Sequence, residues 1–458
     1  MEQAVASDIA GYICKLRAFY GTRQTRDIGF RREMLKKLRN SIRKYEKELS
    51  DALFRDLRKS PEEAYLTEIS IVLHEIDNHI ANLKRWARPE RVRTPWYLFP
   101  STAKILFEPL GVALIIAPWN YPFQLLFNPL VGAISAGCCA MLKPSPYTPA
   151  VAAVMEEIVR ETFDPGFVSL VQGGRDINQE LLSHRFDMIF FTGSPSVGKV
   201  VMKAAAEHLT PVVLELGGKS PCIVDHDANI KVAARRIAWG KTINAGQTCI
   251  APDYLYVHES VKQELLSALI EQISDMYGHD IRASRYYPRI VSRNALDRIR
   301  KLMEHGNIVS GGEVDIEDRY IAPTIIDQVE PGFPVMQEEI FGPVLPVMTF
   351  ADIDEVITYL NGTEKPLALY YFGSRSGARR VIGNTTSGGG CINDTILHVA
   401  NHHLPFGGTG NSGMGRYHGK ESFLAFSNRR SMLRSSLLFD NPVKYVPFRG
   451  FRLLKRFF

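Results

Sequence analysis

The chain has 458 residues, 45% of them hydrophobic and 23% charged, which excludes a disordered, fibrous or disulfide-stapled protein. Roughly 150 residues per domain allows about three structural units. Lys and Arg number 55 against 49 Asp and Glu, a net charge of +6 that is spread along the chain, so nucleic acid is not the expected partner.

The first segment carries acids early and lacks a basic cap before an apolar core, so it reads as a helix and not as a secretory signal. Phe30, Met34, Leu38, Ile42, Tyr45, Leu49, Leu53 and Leu57 form one apolar stripe of a long helix ending at Ser60-Pro61. A second stripe, Leu66, Ile69, Leu73, Ile76, Ile80 and Leu83, stops near Arg88-Pro89. From Gly111 the pattern becomes short apolar runs alternating with helical segments such as 149–163 and 196–208, which predicts a parallel sheet covered on both faces. Ligands of such sheets bind at the carboxyl ends of the strands, here the loops 118–123, 143–145 and 192–194. After Cys249 a second α/β unit runs to about Asn393, followed by a glycine-rich stretch. The runs around Val112 to Pro118 and Pro129 to Leu142 are shorter than the ~20 residues a membrane-crossing helix needs. Six cysteines, two adjacent at Cys138 and Cys139, show no CxxC element and fit a reducing compartment.

Four places carry candidate chemistry. Gly193-Ser-Pro-Ser-Val-Gly198 joins a strand to a helix, and its backbone N–H groups suit either a bound phosphate or a plain turn; it is neither GxGxxG nor a P-loop. Cys249, in Asn-Ala-Gly-Gln-Thr-Cys from 244 to 249, reads as a small buried hydrophobe or as a nucleophile. Glu215 ends an apolar strand before Gly217-Gly218, where poor solvation raises its proton affinity; this suits a general base or a salt bridge. Asn120, between Pro118 and Pro122, is an amide donor or a turn residue.

Seven collinear motifs decide between these alternatives. They are PWNYPF (118–123), LKPS (142–145), FTGSPSVGK (191–199), LELGGKSP (214–221), GQTC (246–249), EEIFGPVLPV (338–347) and PFGGTGNSGMGRYHGKESFLAFSNRRSML (405–433). Together they resemble the aldehyde dehydrogenase superfamily, and YHGKESF, SNRRSML and the short N-terminus are similar to its class 3 branch of fatty, aromatic and medium-chain enzymes.

The resemblance implies an α/β fold of the aldehyde dehydrogenase type: a Rossmann-like NAD(P)-binding domain (1–89 and 107–216), an α/β catalytic domain (217–415), small oligomerisation strands (90–106 and 429–445) and a basic aromatic tail (446–458). It implies Cys249 as nucleophile, Glu215 as general base and Asn120 as oxyanion donor, in an NAD(P)-dependent oxidation of a medium- or long-chain aliphatic or aromatic aldehyde through a thiohemiacetal and a thioester. Lys143 would meet the adenosine ribose, Ser194 the pyrophosphate, and Glu339 and Phe341 the nicotinamide ribose and ring. Ser145, Thr192, Gly193 and Gly198 complete the cofactor set. Pro146 stands where NAD-preferring relatives usually carry a ribose-binding glutamate, so NADP is expected to be accepted beside NAD. Tyr65, Tyr121, Trp239 and Phe406 are expected to line the substrate funnel.

No metal is expected, since His402-His403 has no third ligand at suitable spacing. A cytoplasmic homodimer is the expected form, and the tail from Phe448 either touches a membrane surface or packs on protein. A CoA-acylating dehydrogenase is the nearest rival, disfavoured because Glu215 would compete with CoA for the thioester. A cofactor-free thiol esterase would not need Lys143, Glu339 and the glycine turn. A non-catalytic protein on this fold would be expected to have lost Cys249 or Glu215.

Overall fold

The apolar stripes of the first ninety residues become the helices Ile9–Gly21, Ile28–Lys44, Glu46–Leu57 and Ser70–Trp86 of the computed structural model, which describes residues 9–440, 442–448 and 450–455. Leu38, Ile42, Leu49, Leu53 and Leu57 are fully buried, as one continuous stripe requires. The expected single helix nevertheless breaks at Tyr45 (φ −95°, ψ 14°). There the Tyr45 hydroxyl and the Lys44 amine both reach Glu161 Oε2, at 2.8 and 2.6 Å, so contacts made across the fold redirect a helix that local periodicity would continue. The second stripe starts as a π turn, Tyr65–Ile69, before its regular helix.

Two parallel sheets follow, because their strands are apolar on both faces and must be covered twice. Across its width the first runs Gly413–Met414, Val212–Leu216, Met188–Gly193, Val112–Ile116, Cys139–Lys143 and Val168–Leu170. All pairs are parallel except Gly413–Met414 with its neighbour. The second runs Asn307–Ser310, Thr324–Asp327, Val344–Phe350, Tyr254–His258, Pro221–Val224, Ala368–Phe372 and Gly389–Ile392, with only its first strand antiparallel. A third, antiparallel sheet joins Glu90–Val92, Thr102–Pro109 and Ser427–Arg434. The chain returns to the first sheet at Gly413, so residues 217–415 do not form a unit confined to the second sheet.

Register fixes the site. Ile116 pairs with both Lys143 and Phe191, and Thr192 with Glu215, so these strands end level and their loops open along one edge. No described helix is long and apolar enough to cross a membrane. Residues 449 and 456–458 of the tail lie outside the described residues; Val446, Phe448 and Phe451 are exposed.

Candidate active site

The helix Ile230–Thr242 ends in a turn whose next residues, Asn244, Ala245 and Gly246, have φ of 52°, 50° and 72°. Left-handed backbone is costly for non-glycine residues, so surrounding contacts must hold it. At Gly246 a Cβ would lie 2.2 Å from the Gly342 carbonyl oxygen, and only glycine fits. Gln247 is the pin: its Nε2 donates to the carbonyls of Asn244 and Arg289, both at 3.0 Å, and its Oε1 accepts from Val291 N at 2.9 Å. Cys249 follows, partly buried against a cavity. Burial raises its thiol pKa, the charges of Glu339 and Glu215 reinforce the rise, and the amides of Cys249 and Ile250 oppose it. At neutral pH the resting thiol therefore keeps its proton, and a base must remove it.

The loop after Val112–Ile116 carries Asn120, which is buried and donates Nδ2–H to Gln247 O at 3.0 Å. Its own carbonyl accepts from Lys59 Nζ at 2.9 Å and from Asn244 Nδ2 at 2.8 Å. Lys59 is paired at 2.6 Å with Glu68, both side chains being 0% exposed. The second oxygen of Glu68 accepts from Phe123 N and Gln124 N at 2.9 and 3.3 Å, while the ammonium sits 4.1 Å from the Tyr121 ring centroid. One buried ion pair thus grips the loop at Asn120 and at the residues that follow it.

Glu215, at the end of Val212–Leu216, has both carboxylate oxygens buried without a partner. Burial raises its pKa well above the usual carboxylate range, with Arg416 opposing. A base of this kind holds its proton more tightly than a surface carboxylate and has water as its natural partner. Glu339 reaches the same region on the segment after Pro334–Gln337. Lys219 ties that segment down by donating to the carbonyls of Val335 and Glu338 at 2.8 and 2.9 Å, while pairing with Asp253. Burial raises the Glu339 pKa to about 8, Asp253 adding to the rise. A Cβ on Gly217 would lie 1.9 Å from Glu339 Oε2, so the glycine is needed for this approach.

Along the strand edge, Lys143 is 1% exposed and its amine meets only the Pro144 carbonyl, at 2.8 Å; burial lowers its pKa to about 8. Ser145 Oγ accepts from Tyr147 N, and Pro146 is exposed beside it. Ser194 caps the helix Pro195–Ala206, which contains Gly198, through Val197 N at 3.4 Å. The oxygens Thr192 Oγ1 and Glu339 Oε1 are buried and unpartnered. Phe341, at φ 51°, meets Trp119 edge-on with centroids 5.3 Å apart. An amine, orphaned polar oxygens and a helix N-terminus behind Gly193 make a chemically suitable cradle for the ribose and phosphate groups of a dinucleotide.

The cavity at Cys249 holds about 450 Å³, and Tyr121, Trp239, Phe406 and Tyr417 supply aromatic wall. Tyr65 does not line it. The π turn leaves that ring 42% exposed while Glu63, Leu66 and Thr67 face the cavity. Sequence reasoning missed Lys59, Glu63, Glu68 and Gln247. Gln247 lies within the GQTC motif but had no role of its own, and a lysine before Ser60-Pro61 does not reveal that it meets the Asn120 carbonyl 61 residues away. Among the described residues no group of three His, Cys, Asp or Glu is placed to hold a metal.

Comparison with known proteins places the chain among aldehyde dehydrogenases. The profile of the Aldehyde dehydrogenase family matches residues 2–432. The chain is 50% identical to 4,4'-diaponeurosporen-aldehyde dehydrogenase of Staphylococcus aureus, covering 96% of this chain and 97% of that protein. It is 45% identical to the dimeric, NADP-preferring aldehyde dehydrogenase of Rattus norvegicus, covering 96% and 98%. A solved structure described as the substrate-bound state of Staphylococcus aureus AldH superposes with a TM-score of 0.96 at 48% identity, covering 98% of this chain and 99% of that one.

Proposed function

The chain belongs to the aldehyde dehydrogenase family and oxidises an aldehyde with NAD or NADP, and from that premise we propose that Cys249, Glu215 and Asn120 perform the chemistry. The observation that carries the reading is the juxtaposition of a cavity-facing thiol with two buried carboxylates whose charges act on it.

The thiol loses its proton to a neighbouring carboxylate and the sulfur adds to the aldehyde carbon. The oxyanion formed needs donors in place beforehand, and the Asn120 amide and the Cys249 backbone N–H are the pair offered; each such donor is worth about 3 kcal/mol. Lys143, Ser145, Thr192, Ser194, Glu339 and Phe341 would hold a nicotinamide cofactor, which would supply the hydride acceptor. The remaining thioester is hydrolysed by a water that Glu215 deprotonates. Desolvation suits Glu215 to this step because it raises basicity without fixing either oxygen in a protein bond.

The apolar, aromatic wall favours long-chain aliphatic or aromatic aldehydes. The division into a cofactor domain (1–89 and 107–216), a catalytic domain (217–415, whose end at Gly413–Met414 joins the cofactor domain's sheet) and oligomerisation segments (90–106 and 429–445) serves a cytoplasmic homodimer in this reading. The exposed three-stranded sheet and the rat relative's description as dimeric support it. The tail, with Val446, Phe448 and Phe451 exposed beside basic residues, makes peripheral contact with anionic lipid. Flotation with anionic vesicles before and after deletion of residues 446–458 tests that contact. The catalytic assignment is tested by mass spectrometry of Glu215→Gln with aldehyde and cofactor: an acyl group should accumulate on Cys249, and an unmodified thiol would refute it.

A further inference from the structure

We propose that Glu63 selects the substrate: one of its carboxylate oxygens, unshared and facing the cavity, accepts a hydrogen bond from a hydroxyl carried by the aldehyde away from its reacting carbon. The inference rests on the reading of the Cys249 cavity as the substrate site.

Ser60-Pro61-Glu62-Glu63 opens a helix, and Ser60 Oγ accepts from Glu63 N at 3.1 Å. A glutamate at that position ordinarily folds back onto the helix terminus. Here its Oε1 instead accepts from Asn244 N at 2.9 Å, across 181 residues, at the start of the nucleophile turn. The other oxygen makes no hydrogen bond among the described residues and is not one of the fully buried oxygens left without a partner. Among the described residues lining the cavity, Glu63 is the only acid, and no basic side chain lines it.

The nearby charges are already engaged. Lys59 is committed to Glu68 and to the Asn120 carbonyl, and Glu68 to Lys59 and two backbone amides. Burial raises the Glu63 pKa to about 7; Lys59 and the Asn244 amide oppose the rise, and Glu68 adds to it. The cavity therefore presents a strong acceptor that folding has largely stripped of water, and a ligand hydroxyl restores the missing bond. A hydroxyl bonds to the carboxyl in either protonation state, whereas an ammonium finds its counter-charge only in one. A site of this kind discriminates strongly against an analogue lacking the hydroxyl, because the acceptor is then left unpaired.

The experiment compares kcat/KM for ω-hydroxyalkanals and alkanals of equal length, about four to ten carbons, in wild type, Glu63→Gln and Glu63→Leu. The ratio of the two substrates cancels any general loss from disturbing Asn244. At one chain length the wild-type ratio should exceed that of Glu63→Leu about tenfold or more, with Glu63→Gln between them. Calorimetric binding of the matching unreactive diols and alcohols should follow the same order. Ratios equal within about twofold at every length, in both measurements, would overturn the proposal, as would a stronger preference for ω-aminoalkanals. If Glu63→Leu does not fold, the Glu63→Gln ratio decides, with about a threefold fall expected. Wild type oxidising neither aldehyde would refute the reading of the site instead, and the diol and alcohol binding would still decide the role of Glu63.

Discussion

The Lys59 ammonium donates to the backbone carbonyl of Asn120 at 2.9 Å, 61 residues away, and neither residue is accessible to bulk solvent. With Glu68 as its counter-charge, Lys59 holds the loop that carries the proposed oxyanion donor. Removing one partner of a buried pair leaves the other charge uncompensated, which typically costs about 3–5 kcal/mol. Lys59→Met is expected to lower the denaturant midpoint by that order and to reduce kcat about a hundredfold, since small displacements of a donor carry large rate penalties. In an Asn120→Ala background the same change should lower kcat little further. Chemical denaturation and a double-mutant cycle on kcat measure both.

Cys249→Ser is expected to abolish aldehyde oxidation with fold and cofactor affinity retained, because an alkoxide is far harder to form than a thiolate near neutral pH. Circular dichroism, cofactor titration and a turnover assay together check this. Near-normal turnover in a folded variant would remove the sulfur from the mechanism.

Glu215→Gln separates the two halves of the reaction. The first pre-steady-state burst of reduced cofactor should survive while steady turnover falls about a hundredfold or more, the range typical for loss of a general base. In wild type the base must be deprotonated and burial raises its pKa. Steady turnover should therefore climb with pH above the ordinary carboxylate range, and this limb should vanish in the variant. Stopped-flow traces across pH make the measurement.

Cofactor choice turns on Lys143 and Pro146. Wild type is expected to use NADP at least as well as NAD. Because Lys143 titrates at about 8, its ammonium is present below that pH and lost as pH rises through it. The kcat/KM for NADP should fall between pH 7 and 9 more than that for NAD, and added salt should have the same sign of effect. Pro146→Glu restores a carboxylate for the ribose hydroxyls and repels a 2′-phosphate, so preference should move toward NAD by about tenfold, or ~1.4 kcal/mol. A wild-type preference for NAD above about tenfold would refute the argument.

Alternating apolar runs determined the parallel sheets, because a strand buried on both faces has no other composition open to it. Motif order determined the family, and the types of Cys249, Glu215 and Asn120 limited what each could do. Tertiary structure alone decided the rest. The helix breaks at Tyr45, whose hydroxyl meets Glu161, a contact that local periodicity does not contain. Glu63, Leu66 and Thr67 face the cavity while Tyr65, the first residue of the π turn, does not, a placement that the residues themselves do not announce. Nothing in the sequence pattern singled out Lys59 and Glu68; burial beside Asn120 made them a clamp. Sequence fixes which groups are present, whereas desolvation and pairing depend on what the fold brings within a few ångströms of them, and those two quantities set pKa and position at this site.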